Sequence, residues 1–270
     1  MTYTDLKIIN KIKKNGFAKV ENFISSKKAL EYKNLIIKKY NSLRIKKYRG
    51  VPNRDDEDKI LYNLQNKDLK FIKLITNKKI LNIAKYFLND PHYRYIEKTK
   101  PNFNLLYFNA RSSGKKLDLH IDSHLPFKGD NTNMMQFVIL LENSNIENGC
   151  TIIVPGSHKS GKFSNRKSKN ILSITGKPGD LIIWDSRLWH GTHKNLINKT
   201  RWAIVVTYGA WWLKPMMDIT KSLPNQIYKK CTKVQKQILG FCAIPPKTEF
   251  ERINTKTGYK YLKKNVSDYT

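Results

Sequence analysis

Cysteine is scarce in this 270-residue chain, and its three copies follow no recognisable pairing pattern. Cys150, Cys231 and Cys242 form no C-x-x-C motif and are odd in number. A disulfide framework and a zinc ribbon are therefore not expected, and this cysteine usage is typical of a reducing compartment.

Long hydrophobic runs are also missing. No apolar stretch approaches the roughly 18 residues that a membrane-spanning helix needs. Residues 1–17, MTYTDLKIINKIKKNGF, lack the apolar core and the small-residue cleavage site of a signal peptide. Together these absences predict a cytoplasmic protein without a membrane span.

Acidic residues are few: 21 Asp and Glu stand against 51 Lys and Arg, which gives a net charge of +30. Such a charge attracts phosphates, nucleic acid or acidic membrane surfaces. Most of the excess is lysine, which is spread over the whole chain and accompanied by abundant Asn and Ile, as an AT-rich coding bias would produce. Coding bias is the favoured explanation because no single basic stripe is visible, and an acidic partner is the other.

The chain does have enough apolar residues for a sizeable core, with 40% hydrophobic and 11% aromatic residues. Its length predicts one domain over residues 1–270, in which residues 1–100 are mainly helical. SSKKALEYKNLIIKKYNSL begins with serine caps at Ser25 and Ser26, and DLKFIKLITNKKILNIAKYFL has a similar apolar spacing. RGVPNRDDEDK between them is predicted to be a loop.

The apolar pattern changes near residue 101. Short β-branched or aromatic runs follow, separated by Gly, Pro and Asn: NFNLLYF, MMQFVILLEN, CTIIVPG, NILSIT, DLIIWD and RWAIVVTYGAWW. So many short strands favour a jelly-roll sandwich or barrel over residues 101–212. Residues 213–270 are expected to form a helical and irregular C-terminal extension, with a short helix in VQKQILGF.

The stretch LDLHIDSHLPF contains the strongest chemical signal. His120 and Asp122 are two positions apart, so on an extended segment both side chains point to the same face. His190 closes a second strand-like run in DLIIWDSRLWHGTHKN. Two histidines and one carboxylate on one face of a metal leave the opposite coordination positions open, as in the facial triad of non-haem Fe(II) oxygenases.

Arg201 opens the next predicted strand, RWAIVVTYG. A guanidinium at that place would suit the far carboxylate of a dicarboxylate co-substrate in a bidentate grip, and Thr192 would add a hydroxyl group. A surface arginine at a strand start is the alternative for Arg201 taken alone. Its position after two histidines and an aspartate in this order favours the binding role.

The order of these motifs resembles that of the phytanoyl-CoA dioxygenase family. H-x-D is followed by NGCTIIVPGSHKSG, then by PGDLIIWDSRLWHGTHKN and then by Arg201, within residues 101–212. The resemblance implies a dioxygenase that uses Fe(II), 2-oxoglutarate and O₂. It also implies a double-stranded β-helix, the jelly-roll core of cupin-like proteins, with the N-terminal helices packed on it.

The resemblance also implies roles for individual residues. His120, Asp122 and His190 are expected to bind the iron, and Arg201 with Thr192 to bind the C5 carboxylate of 2-oxoglutarate. Further candidates are Tyr107 and Gln136 for contacts with the co-substrate and His124 for a contact with the substrate.

The expected reaction is hydroxylation of an unactivated C–H bond of a small molecule, with release of succinate and CO₂. The positive charge favours an anionic substrate. The carboxylate of Asp122 favours hydroxylation over halogenation, because a small residue at that position would leave room for a halide on the iron. Desaturation, ring closure and epoxidation by the same oxidant stay open.

Other functional classes are compatible with a jelly roll. One is a protein that binds or modifies nucleic acid or another acidic ligand through its lysines, although no base-flipping wedge or stacking platform is visible in the sequence. Another is a cupin isomerase or metal-storage barrel, in which Arg201 would have no functional role. The residues 44–58 and 158–170 are the expected substrate loops, and neither carries a recognisable code for a substrate.

Overall fold

The computed structural model describes residues 1–43, 58–92, 96, 99–165, 168–197 and 199–244. Residues 44–57, which form most of the predicted loop RGVPNRDDEDK, and the predicted tail after residue 244 lie outside these ranges. Within them the α-helices are α1 Tyr3–Asn15, α2 Ser26–Ser42, α3 Leu69–Ile75, α4 Lys78–Leu88, α5 Ile219–Ser222, α6 Asn225–Tyr228 and α7 Lys233–Ile238, and single 3-10 turns span Leu64–Asn66 and Ser157–Lys159.

The helix starts follow local capping signals. Ser25 is the N-cap of α2, where its hydroxyl accepts a hydrogen bond from the backbone N–H of Lys28. The predicted long helix DLKFIKLITNKKILNIAKYFL is in fact two helices, because α3 ends at Ile75 and the side chain of Asn77 caps the start of α4. The short helix predicted in VQKQILGF is α7.

The described strands form two antiparallel sheets. A six-stranded major sheet has the order β1-β8-β5-β10-β3-β2, and a four-stranded minor sheet has the order β4-β9-β6-β7. From residue 103 to residue 210 the strands are divided between the two sheets as in a double-stranded β-helix, which confirms the expected jelly-roll core. The strands are β1 Phe17–Val20, β2 Asp58–Tyr62, β3 Phe103–Ser113, β4 Leu117–His120, β5 Met134–Leu140, β6 Thr151–Ile153, β7 Leu172–Ile174, β8 Leu181–Asp185, β9 His190–Thr192 and β10 Ala203–Ala210.

The major sheet has two buried faces. On β5, Met135 and Phe137 pack with the N-terminal helices, while Val138 and Leu140 pack with Ile153 and other residues of the minor sheet. This alternation follows from the two-residue period of a strand, and it explains why the whole run MMQFVIL is apolar apart from Gln136. Gln136 is therefore an unusual polar side chain on the face that looks toward the minor sheet.

The N-terminal part is less purely helical than its sequence pattern predicts. It supplies β1, which pairs with β8, and β2, which pairs with β3, so that both edges of the major sheet come from residues before 100. Asp58 and Lys59, which belong to the predicted loop, lie in β2. These edge strands were not predicted because four or five residues carry little periodic signal, and their pairing is decided by distant partners.

The expectations about cysteine and membrane spans can be compared with the structure. Cys150, Cys231 and Cys242 are all buried and free, which confirms the absence of disulfides between them. No helix in the described part of the chain has the length and apolarity required to cross a bilayer.

Candidate metal centre

Strand pairing in the minor sheet brings the two histidines of the predicted triad together. His120 ends β4 and is the register partner of His190, which begins β9. Asp122 follows β4, and its backbone N–H donates to the carbonyl oxygen of Ser186 at 2.8 Å. The same carbonyl accepts the N–H of Ser123 at 3.1 Å, so the segment that carries the aspartate is tied to the turn before His190.

The three side chains converge at short distances. Nε2 of His190 lies 3.2 Å from Oδ2 of Asp122, and Nε2 of His120 lies 3.6 Å from Oδ1. One candidate ligand atom from each residue can be chosen so that all three lie within 4.8 Å of one another. Donors that share one transition-metal ion about 2.1 Å away, at right angles, lie about 3 Å apart. The cluster is thus close to the dimensions of a three-ligand metal site.

Backbone carbonyls orient both imidazole rings. Nδ1 of His120 lies 2.9 Å from the carbonyl oxygen of Asp118, and Nδ1 of His190 lies 3.0 Å from that of Leu188. With the proton on Nδ1, each ring donates to its carbonyl and offers the lone pair of Nε2 toward Asp122. Metal-binding histidines are usually held in this way, because the second nitrogen fixes the tautomer and the ring plane.

The carboxylate of Asp122 is held from the major sheet. The side-chain amide of Gln136 donates to Oδ2 of Asp122 at 2.9 Å, and the hydroxyl of Thr207 donates to the amide oxygen of Gln136 at 2.7 Å. Gln136 on β5 and Thr207 on β10 are register partners. The predicted candidate Gln136 therefore contacts a predicted metal ligand, and a contact with the co-substrate stays a prediction.

The electrostatics of the cluster favour a bound cation. Burial raises the pKa of Asp122, but the charge of His190 and hydrogen bonds from both histidines outweigh burial and hold this pKa well below its ordinary value. For His120, burial lowers the pKa, and the neighbouring carboxylate outweighs it, so that the net pKa is raised. A metal ion would take the place of the proton that this anion attracts to the rings.

A cavity of about 510 Å³ lies between the two sheets at the triad. Its walls include His120, Asp122 and His190, and alternate residues of β10 together with Arg201 just before that strand. This volume falls in the usual range of small-molecule sites, about 300–1,000 Å³. The triad therefore faces a space large enough for a ligand.

Arg201 is buried in the cavity wall with only 8% of its surface exposed. Its backbone N–H donates to Oγ of Ser112 at 2.8 Å, but its Nε atom has no hydrogen-bond partner. Burial lowers the pKa of Arg201 to about 10, which leaves the guanidinium charged at neutral pH. Nε1 of Trp184 and Oδ1 of Asn109 are also buried without a partner, and both residues line the same cavity. Since buried polar atoms are almost always paired, this wall is suited to a polar ligand.

The other predicted residues lie in the same wall. The hydroxyl of Thr192 accepts from the N–H of Leu117 at 3.2 Å and donates to the carbonyl of Lys115 at 3.4 Å, so it bridges β9 to the chain around β4. Tyr107 lines the cavity in edge contact with Tyr62, with ring centroids 6.1 Å apart. His124 is exposed and has a left-handed backbone with φ of 62°. The cavity lining thus contains every residue that the sequence predicted to bind metal, co-substrate or substrate, and the roles of these residues stay predictions.

Some cavity residues were not predicted. Trp184 is one of them, and its ring centroid lies 5.0 Å from that of His190. Thr207 could have been found from the sequence. It lies an even number of residues after Arg201 in the same predicted strand, so both side chains are expected on the same face. Arg111 and Lys214 also line the cavity, and they come from segments in which the sequence shows no motif.

A protein-family model described as Phytanoyl-CoA dioxygenase (PhyH) matches residues 12–203 of the chain. A dioxygenase of Aspergillus fumigatus, af480, is 23% identical over 190 residues, which cover 68% of this chain and 59% of that protein. An uncharacterised protein of Mycobacterium tuberculosis is 27% identical over 97 residues, which cover 35% of this chain and 36% of that protein. The matched stretches thus span between about a third and three fifths of these relatives.

A solved structure of similar fold is that of HygX from Streptomyces hygroscopicus with nickel, 2-oxoglutarate and hygromycin B bound. It has a TM-score of 0.61 and 16% identity, and the match covers 80% of this chain and 90% of that chain. At this identity the likeness concerns the fold.

Proposed function

The chain belongs to the phytanoyl-CoA dioxygenase family, and we propose that it is an Fe(II)- and 2-oxoglutarate-dependent dioxygenase that hydroxylates an unactivated C–H bond of a small molecule. The observation that carries this proposal is the convergence of His120, Asp122 and His190 at a cavity whose wall also buries the Nε atom of Arg201 without a hydrogen-bond partner among the described residues. In this proposal residues 1–270 form one oxygenase domain, because β1 and β2 of the N-terminal part are strands of the same major sheet as the core.

The residues fit the implied cofactors. Two neutral imidazoles and one carboxylate are the donor set of non-haem iron sites, and three protein ligands leave positions for a chelating co-substrate and O₂. His120, Asp122 and His190 would hold the iron. Arg201 would hold the far carboxylate of 2-oxoglutarate, because its buried Nε–H lacks a partner among the described residues. Thr192, Tyr107 and Gln136 are retained as candidates for further contacts with the co-substrate.

When bound, Fe(II) and 2-oxoglutarate react with O₂ so that a substrate RH becomes ROH while 2-oxoglutarate becomes succinate and CO₂. The protein binds and orients these groups and keeps water away from them. Apolar side chains that include Val138 and Val205 line the cavity and lower its polarity. Gln136 and Thr207 hold Asp122 in one orientation, and the carbonyls of Asp118 and Leu188 hold the two rings.

The carboxylate of Asp122 supports hydroxylation over halogenation. Halogenation needs a vacant position on iron for a halide, and a carboxylate ligand fills that position. The triad in this chain leaves no such vacancy once Asp122 binds.

The proposal is tested by aerobic conversion of 2-oxoglutarate to succinate with added Fe(II) and ascorbate, which needs no knowledge of the primary substrate. The wild type is expected to form succinate, and His120→Ala and Asp122→Ala are expected to lose both iron binding and turnover. His193→Ala is the matched control, because His193 contacts Oγ of Ser173 at 2.9 Å and lies outside the cavity wall.

Two results would contradict the proposal. One is a wild-type protein that binds no iron, and the other is a His120→Ala variant that turns over as fast as the His193→Ala control. Binding of DNA or RNA that falls steeply with salt, without succinate formation, would support the alternative of a nucleic-acid-binding jelly roll.

A further inference from the structure

The cavity extends along strand β10 and has different chemistry at its two ends. Arg201 lies just before the strand, and the segment 211–216 follows it directly. The eight residues Ala203–Ala210 span about 23 Å at roughly 3.3 Å per residue. Arg201 and Lys214 are thus cations placed at opposite ends of one strand that borders the cavity.

The cavity wall is poor in acid. Among the described residues that line it, Asp122 is the single carboxylate, whereas Arg111, Arg201 and Lys214 are cations. Arg111 is already paired, with Nε and Nη2 at 3.1 and 3.2 Å from the carboxylate oxygens of Asp58. Arg201 is assigned to the co-substrate in the proposed function. Lys214 is the cation of this wall that remains without an assigned anion.

Acids near Lys214 in the fold have other partners. Asp218 caps α5 through the N–H of Lys221 at 3.0 Å and pairs with the ammonium of the same lysine at 3.3 Å. Asp90 accepts the indole N–H of Trp211 at 2.9 Å. Within the described residues, Lys214 therefore has no acidic side chain as a partner.

The segment 211–216 is anchored to the sheet. The N–H of Leu213 donates to the carbonyl of Ala210 at 3.0 Å, and that of Met216 donates to the carbonyl of Leu106 at 3.2 Å. The side-chain amide of Asn104 donates to the carbonyl of Trp211 at 2.9 Å. These bonds hold the backbone that carries Lys214 beside the cavity.

Several of the side chains that line the cavity together with Lys214 are apolar. Leu213 and Met216 line the cavity from this segment, and Leu106, Ile121 and Met134 line it from elsewhere. Met216 is 65% exposed, so the cavity mouth presents apolar surface to solvent. Such a surface costs free energy in water and is typical of a ligand-binding site.

We propose that this end of the cavity binds the primary substrate, and that the substrate has an apolar body and one anionic group, a carboxylate or a phosphate monoester. The anion pairs with Lys214, and the apolar body lies against Leu106, Leu213 and Met216. A cationic substrate would meet no free acid in the described wall, because Asp122 is committed to the metal. This inference rests on the proposed function for the assignment of Arg201 and Asp122.

Calorimetry on the Ni(II)-loaded protein with saturating 2-oxoglutarate tests the proposal without turnover. The probes are octanoate, octyl phosphate, octanol and octylamine, which share one apolar chain. Octanoate or octyl phosphate is expected to bind about tenfold more tightly than octanol, since a charge-assisted hydrogen bond is gained, and octylamine more weakly than either. The order of the two anions shows whether the lysine prefers a carboxylate or a phosphate.

Variants test whether Lys214 causes the preference for anions. Lys214→Gln is expected to remove the preference for anions, and Lys214→Arg to keep it. Lys229→Gln is the control, since it changes the net charge equally at an exposed residue outside the cavity wall. The proposal is overturned if the anions bind no better than octanol, if Lys214→Gln keeps the preference, or if octanoate displaces 2-oxoglutarate and so occupies the site of Arg201.

The two proposals fail separately. Binding of anions that depends on Lys214, in a protein that forms no succinate, would remove the proposed reaction and leave the ligand class standing. Succinate formation without any preference for an anion would remove the ligand class and leave the proposed reaction standing.

Discussion

At the scale of single residues, the carboxylate of Asp122 is the group on which the site converges. It accepts from Gln136 at 2.9 Å and lies within 3.6 Å of Nε2 of both His120 and His190. The carboxylate can only accept, so the amide of Gln136 turns its NH₂ group to Asp122, and the hydroxyl of Thr207 donates to the amide oxygen and holds the amide in that position. The orientation of a proposed metal ligand thus depends on a threonine that does not touch it.

Thr207→Val is expected to weaken metal binding by at most about 10-fold, the lower end of the usual effect of removing an outer partner of a metal ligand, because Thr207 acts on Asp122 only through Gln136. Valine has a similar shape but cannot donate, so the amide oxygen of Gln136 loses its partner and the amide is held less firmly against Asp122. Calorimetry with Ni(II) measures the loss, and Thr207→Ser, which keeps the donor, should bind nearly as well as the wild type. Equal affinity of the valine and serine variants would show that the relay has no such role.

Arg201→Gln is expected to raise the KM for 2-oxoglutarate while Ni(II) binding is kept. Two charge-assisted hydrogen bonds to a carboxylate contribute several kcal/mol, at about 1.5–3 kcal/mol for each bond to a charged group. Steady-state succinate formation at varied 2-oxoglutarate gives the KM, and calorimetry gives the metal affinity. An unchanged KM, or a loss of metal binding equal to the loss of co-substrate binding, would assign Arg201 a structural role instead.

At the scale of elements, local patterns predicted the parts of the fold whose signals are local. The spacing of His120 and Asp122 predicted side chains on one face, and the pairing of β4 with β9 brings His120 together with His190. His190 was expected to close a strand-like run, whereas in the structure it begins β9. The short apolar runs MMQFVILLEN and RWAIVVTYGAWW predicted strands, and β5 and β10 lie in them. The division of the long predicted helix at Asn77 was missed although the capping residue is visible in the sequence, because the apolar spacing continues across the break.

The elements that local patterns could not predict are those defined by distant partners. β1 and β2 become strands through pairing with β8 and β3, which lie far away in the chain. Lys214 and Arg111 could not be predicted as cavity residues for the same reason. They line the cavity only because the sheet brings separate segments together. The predicted ligands were found because metal chemistry restricts residue types, whereas a substrate wall accepts many.

Asp180 links β1 to the turn before β8, and its ionised carboxylate should stabilise the protein more at neutral pH than in acid. Its carboxylate accepts the N–H groups of Asn22 and Lys177, each at 3.0 Å, and pairs with Lys19 at 3.2 Å. Burial raises its pKa, but these contacts outweigh burial and lower the pKa below its usual value. The resulting stabilisation is complete above the unfolded-state pKa of about 3.9 and is lost as the pH falls toward the lower native pKa.

Denaturant unfolding measured between pH 7 and pH 3 tests this prediction. Asp180→Asn is expected to be less stable than the wild type at pH 7 by about 1–3 kcal/mol, the cost of unpaired buried donors. Its deficit should shrink as the pH falls below about 4, because the wild type then loses the same charge. Glu21→Gln is the control, since Glu21 contacts the same Lys19 from an exposed position, and a deficit that did not depend on pH would contradict the assignment.

At the scale of the whole molecule, the proposed ligands of the metal and of the co-substrate belong to different sheets. His120 and His190 lie on the minor sheet, and Asp122 follows shortly after β4, whereas Arg201 lies just before β10 of the major sheet. A metal ion alone therefore ties elements of the minor sheet to each other. A 2-oxoglutarate molecule bound to both the metal and Arg201 would tie the two sheets together across the cavity.

This arrangement predicts that the metal ion stabilises the fold by itself, and that 2-oxoglutarate adds stability only when the metal ion is bound. A ligand that binds only the native state at a hundred times its dissociation constant adds about 2.7 kcal/mol, which corresponds to a rise in Tm of roughly 5–10 °C for a protein of this size. Thermal unfolding should show a rise with Ni(II), a further rise when 2-oxoglutarate is added to the Ni(II) form, and little effect of 2-oxoglutarate after EDTA treatment. In Arg201→Gln the rise with Ni(II) should persist and the further rise should vanish, because the link to the major sheet is cut. If 2-oxoglutarate stabilised the metal-free protein as strongly, or stabilised the Arg201→Gln variant as strongly as the wild type, the co-substrate would have to bind without spanning the two sheets.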